Sequence, residues 1–67
     1  MSTGEVIWFD MSKGYGFLSD NEGGDVFVHH SAITRDTAKA LKTGVKVSFD
    51  TASGEKGLTA SNVEILS

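Results

Sequence analysis

The sequence has no cysteine and no proline among its 67 residues. Without cysteine, neither a disulfide framework nor a thiolate metal site can be built, and a reducing, cytoplasmic setting is expected. Positive charge is also scarce: six Lys and Arg stand against nine Asp and Glu, giving a formal net charge of -3. Arg35, Lys39, Lys42, Lys46 and Lys56 all follow residue 30, which leaves Lys13 alone in the earlier part. Nucleic-acid binders usually carry a basic stripe or patch, so any contact with phosphates here must be sparse. No apolar run approaches the roughly 20 residues that span a bilayer. The opening Met1-Ser2-Thr3-Gly4-Glu5 lacks a basic segment followed by an apolar one, so neither export nor membrane insertion is expected. With no repeat, low-complexity tract or linker composition, residues 1–67 read as a single domain, near the lower size limit for an unstapled core.

Short apolar runs at β spacing, separated by turn chemistry, are what the chain does have. Glu5–Phe9, Tyr15–Leu18, Asp25–His29 and Val45–Phe49 read as strands. Leu58–Ile65 is a fifth, where Thr59, Val63 and Ile65 suit a strand better than a helix. Asp10-Met11-Ser12-Lys13-Gly14, Asn21-Glu22-Gly23-Gly24 and Ser53-Gly54-Glu55-Lys56-Gly57 between them hold residues that tolerate tight turns. The first three strands therefore form a meander. Ser31–Gly44 is a long connection, in which Arg35–Lys42 contains helix formers enough for about one turn. Five short strands with one long connection after the third predict a small all-β, five-stranded antiparallel barrel.

The second and third strands carry the functional signal. Alternation puts Tyr15 and Phe17 on one face and Gly16 and Leu18 on the other, and it likewise opposes Phe27 and His29 to Val26 and Val28. Both faces are apolar, a pattern that normally belongs to a sheet covered on both sides. A chain of this length closed into one barrel has an interior to fill but no second layer to lay outside. The aliphatic set fits the interior, which leaves Tyr15, Phe17, Phe27 and His29 as a contiguous exposed patch, the mark of a binding surface. The bland alternative, that these rings are ordinary core, leaves them nowhere to be buried. Unpaired bases each have a π-face, so rings on a pleated sheet can take them at roughly 1–3 kcal/mol per base. Lys13 before the second strand and Lys56 in the last turn would add backbone or base contacts from the rim.

Lys13-Gly14-Tyr15-Gly16-Phe17-Leu18 resembles the first ribonucleoprotein motif of bacterial cold-shock proteins, and Val26-Phe27-Val28-His29-His30 resembles the second. Gly4-Glu5-Val6-Ile7-Trp8-Phe9, Ser31-Ala32-Ile33 and Ala60-Ser61-Asn62-Val63 also fit that family, so the resemblance covers essentially the whole chain. The RNA-recognition motif uses a similar string, but it needs two packing helices that this chain lacks. The resemblance implies a five-stranded OB-fold barrel. It also implies binding of single-stranded RNA and DNA with low sequence specificity, and work as an RNA chaperone in the cold or in regulating transcription and translation. Carried over by position, Trp8, Tyr15, Phe17, Phe27 and His29 would stack bases, Lys13 would be the basic contact, and Phe9 and Asp25 would lie at the periphery. His30 stands where the family has phenylalanine, Ala38 where it often has an exposed aromatic, Ile7 where lysine is common and Leu58 where proline is usual. Strand parity puts Trp8 on the side of Val6, so exposing both Trp8 and part of Phe9 requires a bulge or strong twist in the first strand.

Other readings fare worse. His29 and His30 are adjacent strand residues, expected to point to opposite faces and so unable to chelate one ion together, and no cysteine completes a set. Ser31 beside His30 and the scattered carboxylates show no spacing that builds a nucleophile with its base, so an enzyme is not expected. No cofactor, small-molecule substrate or membrane partner is implied, and a monomer is expected. The competing class is a protein-interaction module that would use the same aromatic patch, which the acidic charge would permit.

Overall fold

The computed structural model describes residues 1–54 and 57–66. Five strands form a closed barrel: β1 (Ser2–Asp10), β2 (Tyr15–Asp20), β3 (Asp25–His29), β4 (Lys46–Gly54) and β5 (Gly57–Ile65). Between β3 and β4 the chain makes a 3-10 turn at His30–Ala32 and a short helix α1 (Arg35–Lys39). Thr34 starts that helix by accepting from the Thr37 N–H at 3.2 Å, while Ala38 is buried and Leu41 joins the core.

Both hairpins of the meander close on an aspartate at the end of the outgoing strand. The Asp10 carboxylate accepts from the Ser12 and Lys13 N–H groups at 2.8 and 3.0 Å, and the Asp20 carboxylate accepts from the Glu22 N–H at 2.8 Å. Such short polar side chains replace water as partners for turn backbone that no ladder satisfies.

Around the barrel the order is β1-β2-β3-β5-β4 and back to β1. Four of the neighbouring pairs are antiparallel, but β3 meets β5 in parallel, with Phe27 opposite Thr59. The sheet is thus mixed, which corrects the expectation of an antiparallel barrel. The reason is arithmetical. Strand directions can alternate all the way round a ring only if the number of strands is even, so a closed ring of five must hold at least one parallel pair.

Val6, Leu18, Val26, Val28, Leu41, Val47, Phe49, Ala60 and Val63 fill the interior. Each large apolar side chain taken fully from water contributes roughly 1.5–3 kcal/mol. Leu18, Val26 and Val28 are completely buried, as the alternation of β2 and β3 predicts. Of the six aromatic residues, only Phe49 is among the fully buried, and the other five are left to the surface or its margin.

Candidate nucleic-acid interface

The outer face of β1–β2–β3 is assembled by cross-strand pairing. Phe17 lies opposite Phe27, Tyr15 opposite His29, and Trp8 opposite Phe17. Trp8 reaches this face through a bulge. Val6 pairs with Leu18 and Trp8 with Phe17, so Ile7 is the extra residue of β1 and the faces invert across it. Val6 is buried and Trp8 is 39% exposed. The Thr43 hydroxyl donates to the Ile7 carbonyl at 2.9 Å, and the Gly44 N–H donates to the Val6 carbonyl at 2.9 Å, so backbone groups at the bulge find partners in the long connection.

Four rings close a cycle. Trp8 lies 5.5 Å from Tyr15 and 5.7 Å from Phe17, and Phe27 lies 5.7 Å from both Tyr15 and Phe17. Three of these contacts are tilted or edge-to-face, and the Tyr15–Phe27 pair is close to parallel at 29°. These are the arrangements favoured by the ring quadrupole. Mutual packing leaves Tyr15, Phe17 and Phe27 half-buried, so the patch is less open than strand parity alone suggests. Asp25 shares the outer face of β3 with Phe27 and His29 by alternation and is exposed at the far end of the strand.

Phe9 and Lys13 belong to a second feature. After the bulge Phe9 lies opposite Gly16, half-buried and packed against the core. A side chain at Gly16 would run into the Trp8 carbonyl and the Phe9 backbone, so glycine is required for β1 to approach this closely. Phe9, Met11, Lys13, His30, Arg35 and Ala38 are among the residues that line an open groove of about 530 Å³ between the β1–β2 turn and α1. Ala38 is buried there, whereas its counterpart in the family pattern is expected to be exposed. Lys56 lies outside the described residues.

The two histidines also depart from expectation. Their ring centroids are 4.2 Å apart, because the strand ends at His29 and the chain turns at His30 into the 3-10 segment, which cancels the alternation. His29 Nδ1 lies 2.9 Å from the Ser31 hydroxyl and accepts from the Ser31 N–H at 3.2 Å. Among the described residues no group of three or more His, Cys, Asp or Glu side chains is placed to hold a metal ion.

Residues 2–66 match the 'Cold-shock' DNA-binding domain family. The chain belongs to the cold-shock domain family. It is 51% identical over 63 residues to a cold shock-like protein of Thermotoga maritima, covering 94% of this chain and 96% of that one. It is 50% identical over 64 residues to cold shock protein CspC of Bacillus subtilis, covering 96% and 97%. With cold shock-like protein CspG of Shewanella violacea it shares 53% over 66 residues, covering 97% and 94%. Nucleic-acid binding and a part in cold adaptation go with membership of the cold-shock domain family, and the ring cycle on β1–β2–β3 is a surface consistent with that work. Arg35, which lines the groove beside Lys13, escaped the sequence reading. Its distance along the chain hid it, and the turn of the long connection back over the β1–β2 loop was the missing information.

Proposed function

We propose that this cold-shock domain binds single-stranded RNA and DNA with low sequence specificity by stacking unpaired bases on Trp8, Tyr15, Phe17 and Phe27. His29 extends the platform, and His30, Phe9, Lys13 and Asp25 contact the strand at its margins. Lys56 would add a contact from the last turn. The observation that carries this reading is the closed cycle of four rings on the outside of a barrel whose interior is already filled. Stacking is indifferent to base identity because every base has a π-face, and duplex bases are already stacked on one another. Strands held on such a face cannot pair with themselves, which is the action of an RNA chaperone in the cold or in regulating transcription and translation. The reading assigns no catalytic step, no cofactor and no small-molecule substrate, and it places a monomer of one domain in the cytoplasm.

Trp8 is the sole tryptophan, so its fluorescence reports on the platform directly. Titration with a short oligothymidine should quench it. Unchanged Trp8 emission, with binding of a protein partner to the same face, would replace this reading with that of a protein-interaction module.

A further inference from the structure

His29 closes β3 and also caps the 3-10 turn that follows it. Its backbone is still extended, at φ -104 and ψ 150, while its side chain accepts from the Ser31 N–H at 3.2 Å. The Ser31 hydroxyl lies 2.9 Å from the same nitrogen, Nδ1. The serine that follows the histidine pair is thus bonded to the first histidine across the start of the turn.

Two Ser31 groups on one ring nitrogen settle the tautomer. A backbone N–H can only donate, so Nδ1 holds a lone pair and the proton of the neutral imidazole sits on Nε2. The hydroxyl, which could otherwise accept from a protonated Nδ1, must then donate to it as well. Ser31 therefore fixes two properties that an exposed histidine would otherwise leave open: the direction of its ring and the nitrogen that carries the proton.

The held ring stands at the edge of the aromatic face. His29 lies opposite Tyr15 across the β2–β3 ladder, Tyr15 packs close to parallel with Phe27 at 5.7 Å, and the His30 ring lies 4.2 Å from that of His29. With Nδ1 turned to Ser31, Nε2–H is the ring's remaining polar group. An exposed side chain that rotates freely must be ordered when a base stacks on it, which lowers affinity, whereas a ring already held escapes most of that loss.

We infer that Ser31 is a positioning residue of the strand-binding face: it holds the His29 imidazole in one orientation and as the Nε2–H tautomer, ready to take a base at the margin of the platform. This rests on the single-strand reading above, and it assigns Ser31 no contact of its own with the strand. Ser31 is exposed and outside the core cluster, so the barrel does not depend on its hydroxyl.

The test begins with the free protein at about pH 8, where a proton–nitrogen correlation spectrum reads the imidazole tautomer. His29 should show a bare Nδ1 and a protonated Nε2. Ser31→Ala, which keeps the backbone N–H and removes the hydroxyl, should mix the tautomers, and Ser31→Thr should restore the single one. Oligothymidine binding followed through Trp8 fluorescence should weaken about two- to tenfold in Ser31→Ala and recover in Ser31→Thr. In a His29→Phe background the ring has no nitrogen to hold, so adding Ser31→Ala should leave affinity unchanged. A wild-type spectrum showing both tautomers overturns the inference. So does a Ser31→Ala chain that binds like wild type, or one whose loss is the same in the His29→Phe background; in those cases Trp8 quenching still upholds the platform. A wild-type chain whose Trp8 is unquenched by oligothymidine removes the platform reading, and the role of Ser31 falls with it.

Discussion

Trp8 stands directly across from Phe17, although Val6, two residues earlier, pairs with Leu18, only one residue away on β2. The count mismatch is the bulge at Ile7, and it turns one strand into two functional halves. Before it, β1 sends Val6 into the core; after it, β1 sends Trp8 onto the outer face. The Thr43 hydroxyl holds this geometry through the Ile7 carbonyl. Thr43→Val keeps the shape and removes the hydroxyl, which should cost about 1 kcal/mol of stability. A shift in Trp8 emission should accompany the loss, and a variant with unaltered stability and emission would show that the contact does not hold the bulge.

Phe17 and Leu18 are neighbours that face opposite ways, and their alanine variants should fail differently. Phe17→Ala is expected to weaken oligothymidine binding by roughly 1–3 kcal/mol, the value of one stacked base, while the barrel remains folded. Phe27→Ala should behave alike. Leu18 is fully buried, and Leu18→Ala should cost roughly 2–5 kcal/mol of stability while the molecules that remain folded still bind. Urea unfolding beside fluorescence titration separates the two quantities. Normal binding by Phe17→Ala would sink the platform reading.

Gly16→Ala should destabilise the chain by roughly 1–3 kcal/mol or more, because the new methyl meets backbone that cannot move without parting β1 from β2. For a domain of this size each kcal/mol corresponds to about 4–8 °C in Tm, so a thermal melt decides the matter. Gly23→Ala makes the comparison: nothing lies within reach of its Cβ, and its cost comes from the φ of +108 alone.

Binding should weaken only gently with salt. Each phosphate neutralised on a single strand contributes about -0.7 to the log-log slope, and with Lys13 and Arg35 beside the site a slope of about -0.7 to -1.4 is expected. A slope steeper than about -4 would require more than five neutralised phosphates and would contradict an affinity led by stacking.

Much of this was legible in the residues, and what was not has identifiable causes. Alternation on β2 and β3 separated Leu18, Val26 and Val28 from the outward rings, because period-two patterning is a direct image of the pleat. Parity on β1 required either a bulge or a strong twist, since Val6, Trp8 and Phe9 could not otherwise be placed, and the register shift between Val6 and Trp8 is the bulge. The parallel β3–β5 pair was overlooked although five strands in a ring oblige it. The histidine geometry failed because alternation holds only while a strand continues, and β3 stops at His29. The groove was invisible because Lys13 and Arg35 are brought together by the path of a connection, which no local pattern records.

Around the ring, among the described residues, four interfaces are antiparallel ladders of four to seven register pairs, whereas β3 and β5 share only Phe27 with Thr59. The barrel consequently has a soft seam, and the seam runs beside the aromatic face. Local opening there costs fewer hydrogen bonds than anywhere else on the circumference, so amides of β3 that face β5 should be the strand amides that exchange with solvent soonest. Closure elsewhere leaves little free edge for another strand to join, a useful property for a molecule whose working surface is a cluster of hydrophobic rings.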